Sequence, residues 1–292
     1  MIYEDTPHKR RIGILLASLT TIFFSILDSC GKWLSTHVPL IEIVWFRFAF
    51  ASVIVLLVLL PGGKLKGFWQ ENFKYQLIRS IMMCGMTFLN FAGLKYLQLA
   101  QANAIVFSTP ILIALISTVF LRERLSTAKW LAIAAGFLGV LIILDPFGHE
   151  FHPAMLYIVA HAIVYAFFNI LTRKMASQSS PENTIIYSTV LPTLFLIPFV
   201  IPHWETPKES FDFLLFFIAG FFGALGHYLL AVAYRYAKPT TIAPFFYQQI
   251  LYMIFLGWLV FHQTPSNHVF EGAIIVIGSG LYLWFKENRM AQ

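Results

Sequence analysis

Little in this sequence can face water. Only 12% of its 292 residues are Asp, Glu, Lys or Arg, about half the ~25% found in soluble globular chains. With 30 Phe and 7 Trp besides, the chain cannot cover a water-facing surface. Cysteine is almost absent. Cys30 and Cys84 both sit inside apolar runs, which excludes a disulfide framework and a CxxC metal pair. Strand-like alternation of polar and apolar residues is missing, which excludes a membrane barrel. No HExxH or GxSxG motif occurs, and the histidines are scattered, so neither a metal site, a cofactor nor an intramembrane enzyme is expected. A cleavable signal is not expected either. The polar start ends in His8-Lys9-Arg10-Arg11, and the run after it is too long for a signal core.

What remains is apolar length. Hydrophobic residues make up 58% of the chain and mean hydropathy is +0.73. A bilayer span needs about 20 mostly apolar residues. Such runs lie near 12–34, 41–60, 74–96, 100–121, 127–145, 153–174, 182–201, 211–236, 240–261 and 268–286. The expected class is an all-α integral membrane protein with ten transmembrane helices. Net charge is +6, but the positive residues fall in short loops, so they describe topology rather than nucleic-acid binding. If the N-terminus is cytoplasmic, inside segments collect Lys9–Arg11, Lys64, Lys66, Arg122, Arg124, Lys129, Arg173, Lys174, Arg235 and Lys238. Outside loops hold Lys95 and Lys208, with Lys32 near that face. The bias places both termini inside.

The two halves resemble each other. Phe23-Phe24-x-Ile26-Leu27 matches Phe167-Phe168-x-Ile170-Leu171, Pro39 matches Pro181, Lys95-Tyr96 matches Arg235-Tyr236, and Ser126 matches Ser266. Expected boundaries are a tail at 1–11, one five-helix repeat at 12–145, a second at 153–286, and a tail at 287–292. Five is odd, so the second repeat enters the membrane upside down. Inverted repeats of this kind build secondary transporters, with the substrate site between the halves.

Polar residues within spans mark that site. Asp28 and Lys32 share a face of helix 1. Arg47 lies about two turns into helix 2, whereas Glu42 reads as interfacial. An Asp28–Arg47 or Asp28–Lys32–Arg47 cluster is expected, as a substrate contact, a proton carrier or a packing ion pair. Helix 4 carries Gln101, Asn103 and Pro110; helix 9 carries Pro244 and Tyr247-Gln248-Gln249. Prolines there break or bend the spans. Asn90, His161, Asn169 and His227 add further polar points. Each His reads as packing. Tyr165, Tyr228, Tyr247 and Tyr252 are candidate walls for a flat or cationic substrate. The candidate binding set is therefore Asp28, Arg47, Asn90, Tyr165, Asn169, Tyr228, Tyr247 and Gln248. Glycines near Gly136-x-x-Gly139 and Gly272 permit close helix packing or a dimer face, so monomer and homodimer stay open.

The segments Asp28-Ser-Cys-Gly-Lys32-Trp, Glu42-Ile-Val-Trp-Phe-Arg47-Phe, Ala104-Ile-Val-Phe-Ser-Thr-Pro110 and Phe120-Leu-Arg-Glu123-Arg resemble the EamA-type branch of the drug/metabolite transporter superfamily. Gln263 departs from the family's acidic position in the second copy. Within the family the first two segments, with Thr240-Thr-Ile-Ala-Pro244-Phe, look most like S-adenosylmethionine uptake transporters. The resemblance implies a bacterial inner-membrane carrier of a small organic metabolite, working by alternating access. Protons are a candidate coupling ion. An amino-acid or drug exporter, a riboflavin importer, a lipid-linked flippase and a non-transporting membrane partner are the alternatives.

Overall fold

The structure, a computed structural model, describes residues 7–59, 73–121, 127–145, 151–175, 178–207, 209–237, 242 and 245–290. Its helices are α1 (Pro7–Leu34), α2 (Leu40–Leu59), α3 (Phe73–Leu94), α4 (Leu99–Val106), α5 (Thr109–Leu121), α6 (Thr127–Leu144), α7 (Met155–Met175), α8 (Pro181–Val200), α9 (Ser210–Tyr236), α10 (Gln249–Phe261) and α11 (Asn267–Met290). No strand occurs among the described residues. Helices satisfy their own backbone groups, as hydrocarbon requires. Among the described residues six stretches are long and apolar enough to cross a membrane: Pro7–Leu34, Leu40–Leu59, Phe73–Leu94, Met155–Thr172, Pro181–His203 and Ser210–Tyr236. Leu99–Ile113, Trp130–Leu144 and Gln249–Phe261 are shorter apolar helices. Large apolar side chains such as Leu57, Val58 and Ile274 point outward, which suits a lipid-facing surface.

The run expected at 100–121 is two helices. α4 ends at Val106 and α5 begins at Thr109, with Phe107 and Ser108 in a turn between them. Pro110 falls in the first turn of α5, where a missing N–H costs no hydrogen bond. The Thr109 hydroxyl donates to the Val106 carbonyl at 2.6 Å, satisfying an acceptor freed by the break. A second turn, at Tyr247–Gln248, precedes α10. Pro244, the other expected break, lies outside the described residues. Phe107 and Tyr247 are 140 positions apart, the same offset that relates Lys95 to Arg235. Their rings meet edge to face, with centroids 5.1 Å apart.

The packing pattern survives exchange of the halves. With α1 equivalent to α7, α2 to α8, α3 to α9 and α6 to α11, the α1–α9 contact corresponds to α7–α3. Likewise α2–α9 corresponds to α8–α3. The contacts α2–α8 and α6–α11 map onto themselves.

Small residues set the closest approaches. Gly139 of α6 and Gly272 of α11 face each other, and a Cβ on Gly139 would lie 2.9 Å from the Gly272 carbonyl oxygen. These glycines therefore serve packing within the chain. A Cβ on Gly220 of α9 would lie 2.7 Å from Phe50 Cβ, 2.9 Å from Ala51 N and 3.0 Å from the Arg47 carbonyl oxygen, all on α2. Backbone cannot swing aside as a side chain does. Gly220→Ala is expected to destabilise the protein by about 1–3 kcal/mol, visible as a lower melting temperature of the purified protein in detergent. An unchanged melting curve would show that α2 and α9 can separate freely.

Candidate functional site

A cavity of about 80 Å³ lies inside the bundle. Its walls come from α1, α2, α3, α4, α7, α9 and α10, so both halves contribute. α1 supplies Phe24, Leu27 and Asp28, which follow helical spacing along one face. α3 supplies Thr87, Asn90 and Leu94 in the same way. α2 supplies Arg47, α4 Asn103, α7 His161 and Tyr165, α9 His227, and α10 Gln249.

Asp28 and Arg47 are the charged residues of this wall. They lie within electrostatic reach of each other but form no ion pair. Asp28 Oδ1 accepts from Asn90 Nδ2 at 2.7 Å, and Arg47 Nη1 donates to Thr87 Oγ1 at 2.9 Å. The guanidinium packs over the Phe48 ring, 4.4 Å from its centroid. Gly223 leaves room beside it, since a Cβ there would lie 3.3 Å from Arg47 Nε. Arg47 Nε, Asn103 Oδ1 and His227 Nδ1 have no protein partner. The His161 Nδ1 sits 2.7 Å from the Met86 carbonyl oxygen. A carbonyl only accepts, so Nδ1 carries the proton and Nε2 is left as an acceptor. The Tyr165 ring stacks on His161 with centroids 5.7 Å apart. The cavity thus offers a negative group, a separate positive group, neutral donors and acceptors, and aromatic faces.

The structure brings Asp28, Arg47, Asn90 and Tyr165 together as expected from their positions. The three-membered ionic cluster does not form. Lys32 Nζ instead donates to the Leu94 carbonyl at 2.8 Å and to the Leu97 carbonyl. Carbonyls at the end of α3 lack helical partners, so an ammonium is well placed there. Glu42, in the first turn of α2, is enclosed by its neighbours, and its Oε1 accepts from the Glu205 backbone N–H. Four other expected wall residues lie elsewhere. Tyr228 donates to Glu182 Oε1 at 3.1 Å and packs with the Ile185–Ile186 cluster. Asn169 is held between the Tyr165 carbonyl and the Tyr234 hydroxyl, at 2.7 and 2.8 Å. Tyr247 is committed to Phe107 and to the space over Gly280. Gln248 sits in the turn, and Gln249 reaches the cavity in its place.

Of the other wall residues, Thr87 went unnamed from the sequence; Asn103 and Gln249 stood among the polar residues of their spans but outside the binding set, and His161 and His227 were read as packing. Thr87 was findable, because it lies three residues before Asn90 on the same helix face. Arg79 was missed altogether. It is a charge well inside an apolar span and is almost wholly buried, a combination that marks function by default.

The profile of the EamA-like transporter family matches residues 11–145 and again residues 152–285. An S-adenosylmethionine uptake transporter of Rickettsia bellii (strain RML369-C) is 29% identical over 286 residues, covering 98% of each chain. A riboflavin transporter of Vibrio cholerae is 27% identical, covering 100% of this chain and 98% of its own length. The pseudopaline exporter CntI of Pseudomonas aeruginosa (strain UCBPP-PA14) is 24% identical, covering 91% and 93%. A crystal structure at 17% identity superposes with a TM-score of 0.66 over 96% of this chain and 99% of that one, a likeness of fold alone. Two matches to one family profile, spanning nearly the whole chain, place this protein in the EamA-like transporter family.

Proposed function

We propose that this chain is a secondary carrier in a bacterial inner membrane, and that its substrate is a small zwitterion with an amino-acid end. S-adenosylmethionine is the first candidate. The observation that carries this is the unpaired placement of Asp28 and Arg47 in one cavity. Two buried opposite charges normally relieve their desolvation by pairing. Here each is held by a neutral neighbour, so each remains available to a ligand of the opposite sign. An α-carboxylate suits the guanidinium, which binds carboxylates through a planar fork. A cationic ammonium or sulfonium suits Asp28. Tyr165, Phe24 and His161 provide faces on which a flat ring can stack.

Ten crossings in two inverted halves, with both ends cytoplasmic, fit the positive-inside charge bias and the exchangeable packing. At about 80 Å³ the cavity is well below the ~300 Å³ at which small-molecule pockets begin. Loading a metabolite therefore requires the walls to part. A carrier needs no catalytic group, and relatives named for transport in either direction leave import as part of the proposal.

The test is uptake by purified protein in liposomes, with S-adenosylmethionine, lysine, tryptophan and riboflavin offered separately, with and without a proton gradient. Saturable S-adenosylmethionine uptake, inhibited by excess unlabelled substrate, is the expected result. Saturable uptake of riboflavin alone would overturn the zwitterion assignment. Absence of uptake from folded protein would overturn the carrier reading and favour a flippase or a non-transporting partner.

A further inference from the structure

Beyond Arg47 and Lys32 the bundle holds a further buried cation. Arg79 of α3 is 2% exposed. Its Nε donates to Thr172 Oγ1 of α7 at 2.9 Å, and its Nη1 donates to the Thr184 carbonyl of α8 at 3.3 Å and to the Ser188 hydroxyl. All three acceptors are neutral. Among the described residues no carboxylate pairs with it. A buried charge without a counter-charge is costly, and structure alone does not require it. An amide, with two N–H donors, could make two of these three hydrogen bonds without carrying a charge.

Unused hydrogen-bonding capacity surrounds this guanidinium. Ser80 of α3 donates to the Tyr187 carbonyl of α8 at 2.9 Å, which fixes the register of the two helices. One turn back on each helix stand Gln76 and Asn183, 2% and 3% exposed. Neither Gln76 Oε1 nor Nε2 has a protein partner, and neither has Asn183 Oδ1. Buried amide groups without partners are uncommon in native structures.

One aromatic layer separates this cluster from the cavity. The Arg79 guanidinium lies 4.6 Å from the centroid of the fully buried Phe168 ring. Phe168 in turn meets His227 and Tyr165 of the cavity wall, at centroid distances of 6.0 and 6.3 Å. Arg79 thus packs on a ring that touches the cavity wall, and Arg47 is another residue of that wall.

We propose that Arg79, with Gln76, forms a second anion site for a carboxylate or phosphate group, reached from the membrane face where α3 and α8 begin. It rests on the carrier reading for its favoured occupant, the carboxylate of the substrate after it passes Phe168. The site holds that carboxylate while the halves open toward the cytoplasm, so the anion moves from one guanidinium to the next. A phosphate, free or from a lipid headgroup, is the other source of the same chemistry.

The experiment uses Gln76→Cys in a Cys30→Ser, Cys84→Ser background, purified in detergent and reacted with a charged methanethiosulfonate. S-adenosylmethionine, its decarboxylated analogue and inorganic phosphate are offered as protectants. S-adenosylmethionine is expected to slow labelling of the introduced thiol about fivefold or more, as one charge-assisted contact allows. The decarboxylated analogue should not slow it. Arg79→Gln should abolish the protection, and Arg79→Lys should keep part of it. Protection by phosphate alone supports the anion site and assigns it to phosphate. The proposal is overturned if no anion protects, if protection survives Arg79→Gln, or if the thiol never reacts. S-adenosylmethionine binding to the unsubstituted protein is measured in parallel by equilibrium dialysis. Lack of that binding beside phosphate protection would sink the substrate assignment and leave the Arg79 site standing.

Discussion

Asp28→Asn is expected to lower kcat/KM for S-adenosylmethionine uptake by about tenfold to a hundredfold, with purified yield and melting temperature unchanged. The magnitude follows from a hydrogen bond to a charged group, roughly 1.5–3 kcal/mol against 0.5–1.5 for a neutral one, at about 1.4 kcal/mol per tenfold. The fold should be indifferent for a specific reason. Asn90 Nδ2 donates to Asp28 Oδ1, and an amide oxygen in the same place accepts that bond equally well. No ion pair is broken, because Asp28 makes none in this structure. What disappears is the negative charge of the cavity wall. Uptake kinetics of the variant against wild type, from protein matched for melting temperature, give the answer. Activity within about twofold of wild type would return Asp28 to a packing role.

The second large effect is expected at Arg47, and it is best read as a ratio. Arg47→Gln should weaken S-adenosylmethionine uptake by about tenfold or more, the scale of a lost charged hydrogen bond. Uptake of the decarboxylated analogue should change far less. The ratio matters because Arg47 also packs over Phe48 and beside Gly223. Removing it will cost some stability, and that loss falls equally on both substrates. Arg47→Lys keeps the charge but not the planar fork, so it should recover affinity only in part. Equal losses for the two substrates would mean that Arg47 shapes the cavity without touching a carboxylate.

The spans were legible because lipid imposes a length and a composition, and α1, α2, α3, α7, α8 and α9 each follow within a few residues where the apolar runs begin and end. The family was legible from a few segments, Asp28 to Trp33 among them. Side-chain partners were not. Lys32 lies four residues from Asp28, yet its stem is long enough to reach carbonyls at the end of α3. Helical spacing describes where a side chain starts, not where a flexible one ends. Helical spacing puts Gln248 and Gln249 about 100° apart, which leaves one of them for the cavity without saying which. In the structure α10 begins at Gln249, and Gln249 is the one on the cavity wall. Tyr228 and Tyr247 were chosen for their chemistry alone, whereas their helix faces turn them toward Glu182 and Phe107. Arg79 needed no structure to be noticed, only the rule that a charge deep in a span requires an account.

The edge-to-face contact of Phe107 and Tyr247 has a mechanical meaning in the carrier reading. If the two halves trade conformations during a cycle, each contact between unlike elements becomes its partner contact. α1 against α9 takes on the geometry of α7 against α3, and the reverse. A contact between two equivalent positions becomes itself. It need not be broken in either direction of motion. The paired turns at Phe107 and Tyr247 therefore have the properties of a fulcrum: a point that stays closed while the openings on its two sides alternate.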